Sequence, residues 1–102
     1  MVSVEKKISS TKYEIENFTG VNDFGLWHLK MQALLVQLGL LEALKGSEKM
    51  DDALTEKEKT TMIEKAHNAI MLSLGDKVLR QVSKEKTTAG VWTKLEGLYM
   101  TK

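Results

Sequence analysis

His28 and His67 are, by residue type, the groups in this chain best suited to bind a metal or move a proton near neutral pH. Neither sits in an HExxH pattern, the chain has no cysteine to complete a thiolate site, and their separation does not place two ligands on one helical face. Both read as residues at the margins of apolar stripes. Glu14 with Glu16, and Asp51 with Asp52, have the composition of an acid–base pair. They lie in polar segments with nothing apolar to raise a carboxyl pKa, so they read as solvated charges. Ser9, Ser10 and Ser73 lack the strand-to-helix elbow that exposes a serine nucleophile. The glycines at 20, 25, 39, 46, 75, 90 and 97 form neither GxGxxG nor GxxxxGK[ST], so they read as caps and turns rather than a phosphate cradle. No acid, base, nucleophile or metal constellation survives this pass, and we expect a protein that is not an enzyme and uses no cofactor or metal.

Charge is balanced overall at +1, so no global field draws the chain toward nucleic acid or an anionic membrane. One local asymmetry stands out. Between residues 77 and 94, Lys77, Arg80, Lys84, Lys86 and Lys94 face the single acid Glu85, a net of +4. This reads first as a solvated face and only second as an RNA-contact set, because the only aromatic there, Trp92, is claimed by a core stripe. Met31, Met62, Met71 and Met100 could supply an adaptable surface, yet Met31 and Met62 also fall in stripes.

The elements that must position these residues follow from the absence of proline, the glycine punctuation and the apolar periodicity. At 102 residues there is room for one core. Residues 1–12 are polar and read as a flexible N-terminal tail, with residues 13–102 as the domain. Tyr13, Ile15 and Phe18 suggest an extended segment laid over the core, turned by Thr19 and Gly20. Asn22 or Asp23 then caps a helix over residues 23–38. At about 100° per residue, Phe24, Trp27, Met31, Leu34, Leu35 and Leu38 fall within roughly 100° of arc, a full core-facing stripe. Leu26, Leu29, Ala33 and Val36 gather on nearly the opposite side. The helix is therefore either central, covered on both sides within one monomer, or presents its second face to another molecule.

Gly39 closes this helix, and residues 40–45 read as a short turn packing Leu41 and Leu44. Residues 46–55 form a polar loop ending in a Thr55/Glu58 capping box. The next helix runs to about residue 74, with Met62, Ile63, Ala66, Ala69, Ile70 and Leu74 on one side. Gly75 and Asp76 stop it and start a short helix carrying Val78, Leu79 and Val82. Thr87 or Thr88 caps the last helix, whose stripe is Val91, Trp92, Leu95, Leu98 and Tyr99, weakened by Gly90 and Gly97 by ~1 kcal/mol each. The expected fold is all-α: a small bundle of about four to five helices with an extended N-terminal segment. Its expected core is Phe18, Phe24, Trp27, Met31, Leu34, Leu35, Leu38, Ile63, Ile70, Leu74, Val78, Val91, Trp92, Leu95 and Leu98. The last helix reaches Lys102 without a stop signal, as if the natural chain continued.

Two stretches, KYEIENFTGVNDFGLWHLKMQALLVQLGLLEAL and AHNAIMLSLGDKVLRQVSKEKTTAGVWTKLEGLYMTK, resemble the N-terminal Gag region of plant copia-type LTR retrotransposons. The shared pattern is an aromatic-x-Gly-x-Asn block (Phe18, Gly20, Asn22), a tryptophan early in the first helix (Trp27), the SLGDKVL segment, and a Trp-x-x-Leu near the end (Trp92, Leu95). The resemblance implies a helical capsid domain that self-assembles into cytoplasmic virus-like particles around element RNA. It also implies further helices and a CCHC zinc knuckle beyond this segment, so element RNA is expected mainly at parts absent here. A homo-oligomer is the expected partner state, with Leu26, Leu29, Ala33 and Val36 as the candidate interface and no membrane contact. The alternative is a host-retained Gag-derived interaction or regulatory module, for which a nuclear location is also compatible.

Overall fold

The computed structural model describes residues 15–100. The expected tail 1–12, together with Tyr13, Glu14, Ser9 and Ser10, lies outside the described residues. Among the described residues, four α-helices make an all-α bundle: α1 (Phe24–Gln37), α2 (Glu56–Leu72), α3 (Asp76–Val82) and α4 (Thr88–Tyr99). Two 3-10 turns, Leu41–Lys45 and Ser47–Lys49, join α1 to α2.

Asp23, rather than Asn22, is the N-cap of α1, its Oδ1 accepting the Leu26 amide at 3.0 Å. Asn22 instead holds the preceding turn closed. Its Oδ1 accepts from the Thr19 amide and hydroxyl, and its amide donates to the Asn17 carbonyl. Gly20, at φ +97°, supplies the left-handed residue that this turn requires. The Phe18, Gly20, Asn22 block is thus a core anchor, a reversal and a lock.

Helix α1 ends in a Schellman motif: the Leu40 amide donates to Leu35 O at 2.7 Å and the Gly39 amide to Val36 O at 3.0 Å, with Gly39 at φ +73°. This reversal carries Leu40 into the core beside Leu35. It also corrects the expectation for Leu38, which is 46% exposed although its angle belongs to the core stripe. Leu38 is the C-cap, where the helix has run past the edge of the core, and Leu40 is the buried residue instead. The following turn buries Ala43, not Leu41, which is exposed. Ala43 is fully buried in the turn that packs on α1, α2 and α4.

The capping box at α2 is formed as expected, with Glu58 N donating to Thr55 Oγ1 at 3.1 Å and Thr55 N to Glu58 Oε1 at 2.8 Å. The loop before it is less open than its polarity suggests, since it holds the second 3-10 turn and buries Met50. Helix α2 stops at Leu72, two residues early, because the extended segment takes its backbone groups. Phe18 N donates to Ser73 O at 2.9 Å and Gly75 N to Phe18 O at 2.8 Å, a one-residue parallel bridge between Phe18 and Leu74. Trp27 Nε1 donates to the same Ser73 carbonyl at 3.2 Å.

Thr87 is the cap of α4, its hydroxyl accepting from Gly90 N at 2.9 Å. Thr88 follows as a fully buried residue whose hydroxyl donates to Ile63 O at 2.6 Å, tying α4 to α2. Of the expected core, Phe18, Phe24, Trp27, Met31, Leu35, Ile70, Leu74, Val78, Val91, Trp92 and Leu95 are buried, and Leu34 and Ile63 are half-buried against them. Leu98 is the second correction, at 42% exposed. The inward face of α4 is turned toward Tyr99, whose ring centroid lies 4.8 Å from that of Phe18, and Leu98 is left on the outer edge of the stripe.

Candidate functional site

The apolar residues of α1 divide into two sets with opposite fates. Phe24, Trp27, Met31 and Leu35 face the core, whereas Leu26, Leu29, Ala33 and Val36 all face outward. Leu29 is 64% exposed and Val36 55%, values that no covering segment among the described residues reduces. At about 100° per residue the four fall within roughly 80° of arc, so they form one strip. Among the described residues, neither the extended segment nor the last helix covers these side chains. The extended segment runs instead along the core side, through Phe18. Helix α4 packs on that same side through Trp92 and Leu95.

The strip is nearly uncharged. Lys30 is the one formal charge on α1, and Gln32 and Gln37 complete its flanks. At its N-terminal end a shallow cavity of about 200 Å³ is lined by Glu16, Asn22, Asp23, Leu26, Trp27 and Lys30.

The basic set is spread over three elements. Lys77 and Arg80 lie on α3, Lys84 and Lys86 on the connection to α4, and Lys94 on α4, all exposed. None of the five makes an ion pair among the described residues. Lys86 borders an open depression shared with Ile63, Glu64, His67 and Asn68, where His67 Nε2 is buried without a hydrogen-bond partner.

The groups first considered for chemistry have structural work. Asp51 Oδ1 accepts from Ala53 N at 2.9 Å and closes a turn, and the Ser73 hydroxyl donates to Ala69 O at 3.0 Å. Glu42 bonds Lys45 Nζ at 2.8 Å, and that hydrogen bond holds its carboxyl below the usual range. Among the described residues, no group of three or more His, Cys, Asp or Glu side chains is arranged to hold a metal ion. No described helix is long and apolar enough to cross a membrane.

His28 was underestimated by the sequence reading. It is buried, its ring stacks on Trp92 at 4.6 Å, and its Nε2 lies 3.0 Å from Glu96 Oε2. The partners are 68 positions apart, so no local spacing announces the pair. Lys59 was also missed: it is buried along its stem, with Nζ 3.9 Å from Glu56.

This arrangement is an all-α core with an apolar strip exposed on α1. Residues 31–102 match the family described as the gag-polypeptide of LTR copia-type, and they make up more than half of the chain. The chain belongs to the copia-type Gag family. It is 39% identical over 95 residues to the Retrovirus-related Pol polyprotein from transposon TNT 1-94 of Nicotiana tabacum. That match covers 93% of this chain and 7% of the polyprotein, so the chain spans a small part of its relative. No solved structure matches the chain. The family match covers the second half of α1, from Met31, and α2 to α4, so Ala33 and Val36 of the outer strip and all five residues of the basic set lie in the matched region.

Proposed function

We propose that this chain is a structural, non-enzymatic module of a copia-type Gag that associates with further copies of itself as part of a particle enclosing element RNA. The observation that carries the reading is the strip of Leu26, Leu29, Ala33 and Val36, exposed on α1 of a Gag-family chain. An apolar strip left in water on a helix that already buries its other face is stabilised when a second apolar surface covers it. In the same reading the cations Lys77, Arg80, Lys84, Lys86 and Lys94 add phosphate contacts of their own, while most RNA contact belongs to other parts of Gag. A particle of this kind would lie in the cytoplasm.

The test is the double substitution Leu29→Asp with Val36→Asp, followed by light scattering over a wide concentration range and by thermal melting. We expect a cooperatively folded protein that stays monomeric where the unmodified chain associates. Association unchanged by the two aspartates would overturn the assignment of this face, and loss of cooperative melting would place it in the core. RNA contact is tested separately: affinity should fall with salt, and the slope should flatten when Lys84 and Lys86 are neutralised.

A further inference from the structure

Leu26, Leu29, Ala33 and Val36 are spaced three, four and three residues apart, the a-d-a-d spacing of two heptads. In that register Trp27, His28, Met31, Leu34 and Leu35 take the b, c and f positions, which are those turned into the domain core. Helix α1 therefore carries a narrow strip with a/d spacing on its outer side and a core stripe on its inner side. A surface helix bound to a general apolar partner would be expected to show a broader stripe, whereas a narrow a/d seam suits a second helix with the same seam. The charge pattern agrees. Lys30 is the only formal charge on the helix and no acid accompanies it, so the flanks offer little to a charged partner and little obstacle to an identical one.

Resting on the self-association reading above, we infer that two copies of this chain pair α1 against α1 antiparallel, about a twofold axis midway between Leu29 and Ala33. Leu26 then lies opposite Val36 of the second copy and Leu29 opposite Ala33, so every layer combines a larger side chain with a smaller one. The parallel alternative stacks like on like, and its Ala33 layer leaves a void larger than a methyl group, which weakens pairing by roughly fivefold. Antiparallel pairing brings the two Lys30 side chains near each other across the axis. Repulsion between exposed, screened lysines is worth only about twofold, so packing decides the direction. Helix dipoles aligned head to tail favour the same choice. The seam runs from Leu26 to Val36 within a 14-residue helix, four side chains over about 16 Å. That is short of the area a stable dimer buries, so the pair is weak, forms at high concentration, and gains strength from other contacts in an assembly.

The chain has no cysteine, so introduced ones report contacts without background. Leu26→Cys and Val36→Cys proteins, each checked by melting, are mixed at a concentration where light scattering reports dimers, oxidised in a glutathione buffer, and read by mass. The antiparallel seam gives the mixed 26–36 disulfide in at least about tenfold excess over either homodimer. Homodimers of both variants in place of the mixed species would overturn the inference in favour of a parallel seam. Dimers in solution without any of these disulfides would overturn it in favour of another face, and both results leave self-association standing. A strict monomer at all concentrations would overturn self-association and the seam together. Lys30→Gln gives a second readout that needs no cross-link: the antiparallel dimer tightens by about twofold at low salt, and an unchanged dissociation constant would count against the axis placed here.

Discussion

The imidazole of His28 and the indole of Trp92 stack face to face, with ring centroids 4.6 Å apart and planes 26° from parallel. The contact joins α1 to α4 at a point where Trp27 and Trp92 also meet, at 6.0 Å. It therefore bears on the outer strip as well as on the core, because α1 presents the strip only if its inner face is held. Glu96 completes the contact by bonding His28 Nε2 from one turn beyond Trp92. We expect His28→Ala to cost about 2 kcal/mol, combining lost aromatic contact with a lost polar partner. Glu96→Ala should cost less than half as much, since its side chain is partly exposed. Urea unfolding of both variants and of the double variant measures the two terms and their coupling.

The Ser73 carbonyl accepts from both Phe18 N and Trp27 Nε1, so one backbone oxygen joins the extended segment, α1 and the end of α2. Trp27→Phe keeps an aromatic ring but removes the indole donor. We expect a loss of about 1–2 kcal/mol in equilibrium unfolding, with helix content unchanged by circular dichroism.

Gly97 lies inside α4, exposed, and a Cβ there would meet nothing within 4 Å. Gly97→Ala should raise stability by about 0.5–1 kcal/mol through the lower conformational entropy of the unfolded chain. Gly90 offers no such gain, because a Cβ there would lie 2.9 Å from the Thr87 hydroxyl that caps the helix. A thermal melt of Gly97→Ala that is unchanged or lower would show that this turn of α4 is frayed in solution.

The Glu42 carboxyl is held below its ordinary value first by its hydrogen bond from Lys45 and, against a smaller effect of burial, by the Asp51 amide. A carboxylate whose pKa is lower in the folded state adds stability that is present above the unfolded value. That stability is lost as pH falls through the folded value. The stability difference between the unmodified chain and Glu42→Gln should therefore be small but present at neutral pH and vanish in acid, below the usual carboxylate range. A difference that persists unchanged into strong acid would assign the effect of Glu42 to packing instead of charge.

The local features of this chain were legible because their causes are local. The Thr55/Glu58 box, the Gly39 stop and the Thr87 cap each depend on residues within a few positions of one another, and all formed. The two faces of α1 were likewise legible, since about 100° per residue decides which side chains share a side. Which face is left in water was not, because both are apolar and periodicity assigns no direction to a partner. That choice was made by Phe18, Trp92 and Leu95 packing onto the Trp27 side. Leu38 and Leu98 were misassigned for the same reason. Their angles are right, but the core ends before them, and where a core ends depends on chain segments far away in sequence. The early stop of α2 at Leu72 and the pairing of His28 with Glu96 were beyond local reading too, since each needs a partner more than 50 residues distant. What the sequence alone determined is the set of elements and their apolar faces. Tertiary structure alone decided which face is covered by the core, and so which surface is left in water.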